Sequence, residues 1–421
     1  MNEVPVPSWY RPRGYRHFDP IVDCRAAVRF VSDPESVIRH PFLPLLSYTK
    51  STPRYDRSKR KVVSKDRPIS YASHMDSQIF AYYGKLLTGP YEAELKRLYL
   101  SDCVIAYRSI NRKCNIEFAA EVFTAIEAAG NCVALGLDVT GFFDHISHAA
   151  LKANWATLLG EKYLPLDHYK VFKALTNYAY VCRDEVYSAL GITRSADEDA
   201  RLPLCTPEQL GTSIRGRGLI RVNNKSYGIP QGTPISAIAS NISMLEFDKS
   251  AVNLAIDVGG VYRRYSDDIF FLSPPNRVTE VETLLNSFLA PLGLEFKSSK
   301  TERVEFESTN SGVRIRTGKP FPYLGFVFDG RRRLVRSSSL SRHWRRTKSR
   351  IRIAKKVAAR AGHSGASAKI FRRSIYQKTT HFGQRRTFLR YVYRADRIMP
   401  GGAIRRQVRS HMKKVTSLLN E

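Results

Sequence analysis

The chain has 421 residues, about two to three domains by usual domain size, and its 43% hydrophobic content can build a large core without staples. It carries 68 Lys+Arg against 38 Asp+Glu, a formal net charge of +30. Such an excess favours a polyanion, most commonly nucleic acid, as the partner. The alternatives are simple solubility or an anionic membrane surface, but for a membrane we find neither an amphipathic nor a lipidated anchor.

The cysteine pattern and the N-terminal sequence indicate the cellular compartment in which the protein is expected. No CxxC pair occurs, which argues against a zinc ribbon and a disulfide framework. The N-terminal residues lack an apolar signal core, and no stretch of about 18 apolar residues is present. We therefore expect a cytoplasmic protein without a membrane partner. The six cysteines are Cys24, Cys103, Cys114, Cys132, Cys182 and Cys205.

The first half of the chain predicts mixed structure. Residues 1–60 indicate extended or loop structure with short helical pieces. Apolar spacing over 73–100 predicts two helices separated at Gly89-Pro90. The run CVALGLDV (132–139) predicts a buried strand, and a helix is expected to begin at Ser147.

The second half adds a hairpin and a basic helical region. Residues 183–226, with an acidic patch at 197–199, predict a loop plus a hairpin, and 235–256 predict one long helix. VYRRY (261–265) and IFFLS (269–273) have hairpin spacing. The remaining expectations are a helix over 277–290, strands at 294–297, 313–315 and 323–328, and basic, mostly helical structure after Gly330.

Carboxylates stand at two of these positions. Asp138 ends the buried strand, where an Asp is also commonly a helix cap or a turn residue. Asp267 and Asp268 are adjacent at the hairpin tip and repel each other unless a cation lies between them. A tight turn that uses Asp for its geometry is the alternative. Hard oxygen ligands from two distant segments are what Mg²⁺ prefers, and two such ions can catalyse phosphoryl transfer.

A glycine-containing turn lies between the carboxylate segments. In GIPQGTPIS (228–236), Gly232 permits close backbone approach and Pro234 suits the first turn of the following helix. We expect Thr233 or Ser236 to cap that helix.

In order and spacing these segments resemble the palm motifs of reverse transcriptases. The Asp138 strand is similar to motif A, the Gln-Gly-Thr-Pro turn to motif B, and Tyr-Ser-Asp-Asp to the Tyr-x-Asp-Asp hairpin of motif C. Segments 293–301 and 322–326 resemble motifs D and E, and 65–69 resembles the fingers segment. The resemblance covers residues 61–330.

The resemblance implies a fold and a division of the chain. It implies an α+β right-hand polymerase, with an antiparallel palm sheet packed on helices. Residues 1–60 would form an N-terminal extension, 61–330 the fingers and palm, and 331–421 a basic helical thumb that follows the phosphates of a duplex. In the thumb, Trp344 and Phe371 are expected to be core anchors rather than stacking platforms.

The resemblance also implies catalytic roles. Asp138 and Asp267 would hold two Mg²⁺ ions, for which Mn²⁺ can substitute, with Asp268 close by and Val139 among the metal-binding positions. Lys300 would protonate the pyrophosphate leaving group; an ordinary surface lysine is the alternative.

The remaining assignments concern substrate and primer. Lys65 and Arg67 would bind the triphosphate, with a solvated turn as the alternative. Phe143 occupies the steric-gate position that excludes a 2′-hydroxyl, although by itself it would be interpreted as a core aromatic. Gln231 and Gly232 would lie along the template and nascent base pair. The primer grip would comprise Tyr323, Leu324 and Gly325.

Motif B reads Pro-Ile-Ser instead of the Pro-x-Ser-Pro of retron and group II intron enzymes. The sequence therefore more closely resembles the stand-alone bacterial reverse transcriptases of phage defence and abortive infection. The expected partners are an RNA template, a DNA primer or product and dNTPs, with a dedicated non-coding RNA or a companion protein as further candidates.

Four functions remain open at this point. The leading hypothesis is RNA-directed DNA synthesis. Untemplated or protein-primed DNA synthesis on the same palm is the second. A non-catalytic RNA-binding protein would be expected to lack metal carboxylates, and all three are present. RNA synthesis is disfavoured by Phe143.

Overall fold

The structure is a computed structural model that describes residues 6–56, 60–193, 202–363, 370–382 and 386–421. Within these ranges the chain combines helices with mainly antiparallel sheets, which confirms the α+β expectation. The predicted acidic patch at 197–199 lies outside the described residues. The strands are β1 (Leu45–Asp56), β2 (Lys61–Tyr71), β3 (Cys132–Asp138), β4 (Ala179–Cys182), β5 (Arg221–Val222), β6 (Val261–Tyr265), β7 (Asp268–Ser273), β8 (Glu302–Thr309), β9 (Gly312–Thr317), β10 (Phe321–Tyr323), β11 (Phe326–Phe328) and β12 (Arg333–Val335).

Helices make up most of the remaining regular structure, with a π-helical turn at Leu210–Arg215. They are α1 (Cys24–Val31), α2 (Pro34–Arg39), α3 (His74–Arg97), α4 (Asn115–Ala129), α5 (Phe142–His145), α6 (His148–Leu158), α7 (Leu166–Thr176), α8 (Arg183–Ala189), α9 (Pro207–Gln209), α10 (Ser236–Ile242), α11 (Leu245–Asp257), α12 (Val278–Leu289), α13 (Ser337–His363), α14 (Arg372–Thr379), α15 (Phe388–Ile398), α16 (Ala403–Val408) and α17 (His411–Asn420).

The chain forms two compact units, each assembled from separate stretches of sequence. The first comprises Met1–Tyr107, Val139–Val252 and Leu284–Phe296. The second comprises Arg108–Asp138, Asn253–Thr283 and Lys297–Glu421. The three-part division at residues 60 and 330 stays a prediction.

The first unit contains a four-stranded sheet in the order β2-β1-β4-β5. The long β1–β2 pair is antiparallel, and β4 joins β1 in parallel. Phe18, Leu46 and Val181 belong to the buried cluster of this unit. Burial of these apolar side chains removes them from water and holds the base of the β1–β2 hairpin.

The second unit contains a five-stranded sheet in the order β6-β7-β3-β8-β9 and a three-stranded sheet β10-β11-β12. Their shared core includes Phe123 of α4, Phe270 of β7 and Phe328 of β11, all fully buried. Helix α15 adds Leu389 and Val392 to the same core. Further along, α13, α14 and α17 share a smaller apolar cluster.

Several sequence expectations are confirmed. The predicted buried strand is β3, and β6 and β7 form the predicted hairpin. Helix α6 follows Ser147, whose hydroxyl accepts the Ala150 N–H at 3.3 Å and so caps the helix. The region after Gly330 is mostly helical, as its composition indicated.

The predicted break at Gly89-Pro90 is wrong, because α3 runs unbroken from His74 to Arg97 with Pro90 inside it. A proline removes one helical hydrogen bond and usually ends or kinks a helix. Here Leu87, Tyr91 and Leu95 are fully buried on both sides of the proline. Their packing outweighs the local cost, so tertiary contacts override the sequence signal.

Three further expectations are corrected. The predicted helix over 235–256 is two helices, α10 and α11, separated at Ser243-Met244. The Ser240 and Ser243 hydroxyls each donate to the carbonyl oxygen three residues earlier, which competes with helix continuation. The expected strand at 294–297 is only an isolated bridge between Phe296 and Val139.

The third correction concerns residues 183–226. The described part of this segment contains helical turns and one short strand, β5. That strand pairs with β4, which precedes the segment, so the expected hairpin within it is wrong.

Among the described residues, no helix combines the length and the apolar character that a membrane span requires.

Tyr99 ends α3 in a conformation that suits glycine. Its φ is +57°, and the Leu100 N–H bonds the Leu95 carbonyl oxygen at 2.8 Å while the Tyr99 N–H bonds Lys96 at 3.2 Å. This is the Schellman pattern, in which glycine is preferred at the left-handed position. The Tyr99 side chain is 86% exposed, so its removal leaves no cavity.

We therefore predict that Tyr99→Gly raises the free energy of unfolding by about 0.5–1 kcal/mol, because relief of left-handed strain exceeds the entropic cost of glycine. Chemical denaturation measures this change. Tyr163→Gly is the control, since Tyr163 is also exposed but has an ordinary backbone conformation. Equal destabilisation by both substitutions would contradict the prediction.

Candidate active site

The β6–β7 hairpin presents two carboxylates at its tip. Tyr265 pairs with Asp268, which leaves Ser266 and Asp267 as the two turn residues. Ser266 has φ +60° and is almost fully buried, so the turn is held in a fixed left-handed geometry. Ile269 and Phe270, which follow in β7, are buried in the core. The two carboxylates therefore stand on a rigid support.

Strand β3 brings a third carboxylate to the same edge of the sheet. It pairs antiparallel with β7 in a register that sets Asp138 directly opposite Asp268. Directly opposite residues of an antiparallel pair have side chains on the same face and close together. The second unit thus brings together Asp138, Asp267 and Asp268.

The electrostatics of this edge favour a bound cation. Burial, together with the negative charges of Asp267 and Asp138, raises the pKa of Asp268 to about 6. The carboxyl is at the hairpin tip and retains solvent contact, but the protein around it still weakens its hydration. Lys300 and Arg336 act in the opposite direction, lowering this pKa.

Lys300 lies at the aspartate edge. Its ammonium contacts the Asp138 carboxylate, and the Asp138 backbone oxygen accepts the Lys297 N–H at 2.8 Å. The short helical turn Ser298–Lys300 carries the lysine to this position. The structure therefore places Lys300 beside the aspartates, with Asp138 as its ionic partner.

The donor set fits a hard divalent ion. Three carboxylates, one from β3 and two from the β6–β7 hairpin, supply oxygen ligands of the type that Mg²⁺ prefers. In the described parts of the chain, however, no group of three or more His, Cys, Asp or Glu side chains is arranged to hold a metal ion. Val139 is buried and bridges Phe296 in the first unit, so its side chain offers no ligand.

The two predicted phosphate-binding cations lie in the first unit. Lys65 and Arg67 are exposed on β2, opposite Thr52 and Lys50 of β1. Because they are two residues apart in a strand, they share one face. They lie on an edge strand and not in a turn, which corrects the solvated-turn alternative.

Phe143 and Gln231 are tied together by backbone hydrogen bonds. The Ile229 N–H donates to the Phe143 carbonyl oxygen at 2.9 Å, and the Ser70 N–H at the end of β2 donates to Gln231 at 2.8 Å. Phe143 is partly buried in α5 and packs edge-on against Phe142. Within the first unit, backbone hydrogen bonds therefore link the residues predicted to contact the sugar (Phe143) and the nascent base pair (Gln231) to strand β2, which carries the predicted triphosphate-binding cations.

Gly232 has a backbone that only glycine fits. Its φ is +122°, and a Cβ atom there would lie 2.5 Å from the Ser70 carbonyl oxygen. The expected helix cap is wrong, because α10 has no side-chain cap. Instead the Thr233 and Ser236 hydroxyls bond each other, and Ser236 also donates to the Pro230 carbonyl oxygen at 2.6 Å.

The predicted primer-grip residues form the β10–β11 hairpin of the second unit. Leu324 and Gly325 make its turn, with φ of +43° and +93°. Burial and the charge of Asp268 raise the pKa of the Tyr323 hydroxyl, and the centroid of the Tyr323 ring lies 5.6 Å from that of Phe270 in β7. The turn is held by Asn115, which donates to Leu324 at 3.0 Å, and by the Arg336 N–H, which donates to Gly325 at 3.0 Å.

Asn115 is a positioning residue that the sequence did not reveal. Its amide nitrogen also lies 2.8 Å from the Tyr391 hydroxyl, so it joins the hairpin turn to α15. A single Asn at the start of a helix is ordinary in sequence, and its two partners lie more than 200 residues away. No local signal could have found it.

The basic helical region presents many exposed cations. Trp344 packs against the apolar cluster of α13, α14 and α17, which confirms its interpretation as a core anchor. Phe371 is 77% exposed, so the same interpretation is wrong for it. The exposed cations of α13 include Arg342, Arg345, Arg346, Lys348, Arg350 and Arg352.

The family model described as reverse transcriptase (RNA-dependent DNA polymerase) matches residues 92–328 of this chain. This range is more than half of the sequence and contains all three aspartates. The chain belongs to the reverse transcriptase family. Lys65 and Arg67 precede the matched range, and the basic helical region follows it. No curated protein matches the chain by sequence.

Among solved structures the chain is similar to telomerases. Apo telomerase from Candida tropicalis, truncated from its C-terminal domain, shares 11% identity over 67% of this chain and 53% of that one, with a TM-score of 0.43. Telomerase from Candida albicans with a TWJ fragment of telomeric RNA shares 13% identity over 71% and 47%, with a TM-score of 0.40. This chain spans about half the length of those structures, and the likeness is too distant to assign a substrate.

We predict that Gly232→Ala destabilises the protein by about 1–3 kcal/mol, because the new methyl group would overlap the Ser70 carbonyl at a strained φ. Chemical denaturation gives the free energy of unfolding. Gly89→Ala is the control: its Cβ would meet nothing within 4 Å, and alanine favours the interior of α3. An unchanged stability for Gly232→Ala would contradict the close approach.

Proposed function

We propose that this reverse transcriptase family member is an RNA-directed DNA polymerase. A primer 3′-hydroxyl would attack the α-phosphate of a dNTP, forming a phosphodiester bond and releasing pyrophosphate. The observation that carries the proposal is the β3–β7 register, which places Asp138 opposite Asp268 with Asp267 adjacent. Three carboxylates on a rigid sheet edge have little structural use, because like charges directly opposite destabilise a sheet.

The proposed mechanism uses two divalent ions, Mg²⁺ or in its place Mn²⁺, which would stabilise the charges of an in-line phosphoryl transfer. Asp138 and Asp267 would hold them, with Asp268 close by and Val139 contributing at most a backbone oxygen. Lys300 Nζ now pairs with Asp138. In the reaction it would donate a proton to the leaving pyrophosphate oxygen.

The substrate assignments rest on charge, exposure and the backbone links of the first unit. Lys65 and Arg67 present two cations on one face of β2, suited to a triphosphate. Phe143 would exclude a 2′-hydroxyl, and Gln231 and Gly232 would lie along the nascent base pair. The turn at Leu324-Gly325, with Tyr323, would hold the primer.

The partners follow from charge and family. The exposed cations of α13 would bind the phosphates of a template–primer duplex, with binding that weakens as salt rises. A non-coding RNA or companion protein, a cytoplasmic location and a role in bacterial antiviral defence are also proposed. The defence role is supported only by the resemblance to defence-associated enzymes.

We expect the purified protein with Mg²⁺ to incorporate dNTPs on a primed RNA template, and Asp267→Asn to reduce this rate by at least about 100-fold, since one metal ligand is lost. Asp102→Asn, at an exposed aspartate of the first unit, is the control and should retain activity.

Parallel reactions with and without the RNA template distinguish RNA-directed synthesis from the alternative functions. Product without template, lost in Asp267→Asn, would keep the site and indicate untemplated or protein-primed synthesis. Full activity of Asp267→Asn would overturn the assigned site. RNA binding without product under any condition would support a non-catalytic binding protein.

We further predict that Phe143→Ala lowers the preference for dNTPs over rNTPs by roughly 10- to 100-fold, the discrimination that a pocket typically exerts against an added hydroxyl. Competition between dNTP and rNTP incorporation measures the preference. Phe143→Tyr keeps an aromatic ring and should keep the selectivity. An unchanged preference in Phe143→Ala would indicate a core aromatic.

A further inference from the structure

A basic pocket lies in the second unit, and its lining includes none of the residues assigned to the proposed polymerase site. It is lined by four arginines, two carboxylates and part of the turn before α16: Arg331, Arg332, Arg333, Arg406, Glu127, Asp329, Pro400, Gly401 and Ala403. Its volume is about 760 Å³, within the range of sites for nucleotide-sized ligands. We call it the arginine pocket.

The arginine pocket is separated from the predicted primer-grip turn by the length of strand β11. Strand β11 begins after the Leu324-Gly325 turn of the predicted primer grip. It ends at Phe328, and the chain then enters the pocket at Asp329. The pocket and the primer-grip turn therefore lie at opposite ends of the same three-stranded sheet.

Both carboxylates of the pocket already have cationic partners. Asp329 accepts the backbone N–H groups of Arg331 and Arg332 at 3.0 and 2.6 Å, and the Arg332 guanidinium at 2.9 Å. Glu127 accepts Arg333 at 2.6 Å, and the same guanidinium donates to Thr124. These pairs hold the Arg332 and Arg333 side chains in place and neutralise both carboxylates of the pocket.

Two positive charges remain. In the described part of the chain neither Arg331 nor Arg406 forms an ion pair, and both are exposed. Among the described residues, the Arg406 guanidinium donates to one acceptor, the Gly401 carbonyl oxygen at 3.3 Å. Guanidinium groups have several N–H donors in a planar fork, so each retains donors for an anion.

The backbone on the other side of the pocket is open. Gly401 and Gly402 have φ of +120° and +66°, and a Cβ atom on Gly401 would meet nothing within 4 Å. Glycine at these positions adds no side chain to the wall, so an anion can approach the main chain there. The pocket therefore combines two cations with steric room.

We propose that the arginine pocket binds a phosphate-bearing nucleotide of RNA, at a site distinct from the polymerase site. The proposal rests on the proposed function for the identity of the polyanion, and on the uncompensated Arg331 and Arg406 for the chemistry. Planar guanidinium forks bind phosphate oxygens in pairs. A protein of net charge +30 attracts the closely spaced phosphates of nucleic acid more strongly than it attracts isolated acidic side chains.

The test measures RNA affinity over a series of salt concentrations, in protein that also carries Asp267→Asn so that catalysis plays no part. The variant Arg331→Ala with Arg406→Ala should bind RNA at least tenfold more weakly. It should also lower the slope of log affinity against log salt by about 1.4, since each single-strand phosphate contact contributes roughly 0.7. The control is Arg25→Ala with Arg29→Ala, two exposed arginines of α1 that remove the same charge.

A second variant separates binding from folding. Ala403→Asp places a carboxylate in the first turn of α16, where it interacts favourably with the helix dipole, and also inside the pocket. We expect it to keep or raise thermal stability and to weaken RNA binding. If the α1 control weakens RNA binding as much as the pocket variants, or the pocket variants bind normally, the proposal is wrong.

A second binding experiment distinguishes a terminal phosphate from internal phosphodiesters as the group in the pocket. It compares RNA of one sequence with either a 5′-phosphate or a 5′-hydroxyl. A preference for the phosphorylated RNA that disappears in the pocket variants assigns the pocket to a terminal phosphate. Equal loss for both RNAs assigns it to internal phosphodiesters. Weaker binding of polyglutamate with unchanged RNA binding would identify an acidic protein ligand and overturn the proposal. None of these outcomes depends on polymerase activity.

Discussion

The pairing of β3 with β7 is the constraint on which the functional geometry depends. Its register sets Asp138 against Asp268, an arrangement that electrostatics opposes. The same strands bury Ala134, Phe270 and Leu272 in the main core of the second unit. Burial of a large apolar side chain contributes about 1.5–3 kcal/mol, so a few such residues can offset the repulsion. The packing of the hydrophobic strand faces thus holds Asp138 and Asp268 close together despite their mutual repulsion.

That sheet also positions the predicted primer grip. Gly136 lies in the middle of β3, and a Cβ atom there would approach the Phe321 ring to 3.3 Å. The ring of Phe270 packs near both Phe321 and Tyr323. A small residue in β3 and an aromatic in β7 therefore allow β10 to pack closely on the sheet. The aspartates and the Leu324-Gly325 turn are connected through a single close-packed core, in which small displacements are costly.

The net charge of +30 overstates the positive surface that remains for a polyanion. In the second unit, ion pairs engage Arg333 with Glu127, Arg394 with Glu117 and Arg332 with Asp329. Paired cations fix loops and helices, whereas unpaired ones are available for phosphate. This distinction separates Arg331 from its neighbours Arg332 and Arg333, although all three are equivalent in the sequence. Position in the fold decides which arginines can bind an external anion.

The sequence by itself determined the features that depend on short-range patterns. The apolar run of β3, the β6–β7 hairpin and the start of a helix at Ser147 are local signals, and the structure has them all. The order of the motifs was also sufficient to indicate the family, whose model matches residues 92–328. Tertiary structure alone decided that α3 continues through Pro90, that β8 pairs with β3 and that Asn115 supports the Leu324 turn. These outcomes depend on packing and hydrogen bonds between residues far apart in the chain, and such contacts leave no periodicity or spacing in the local sequence.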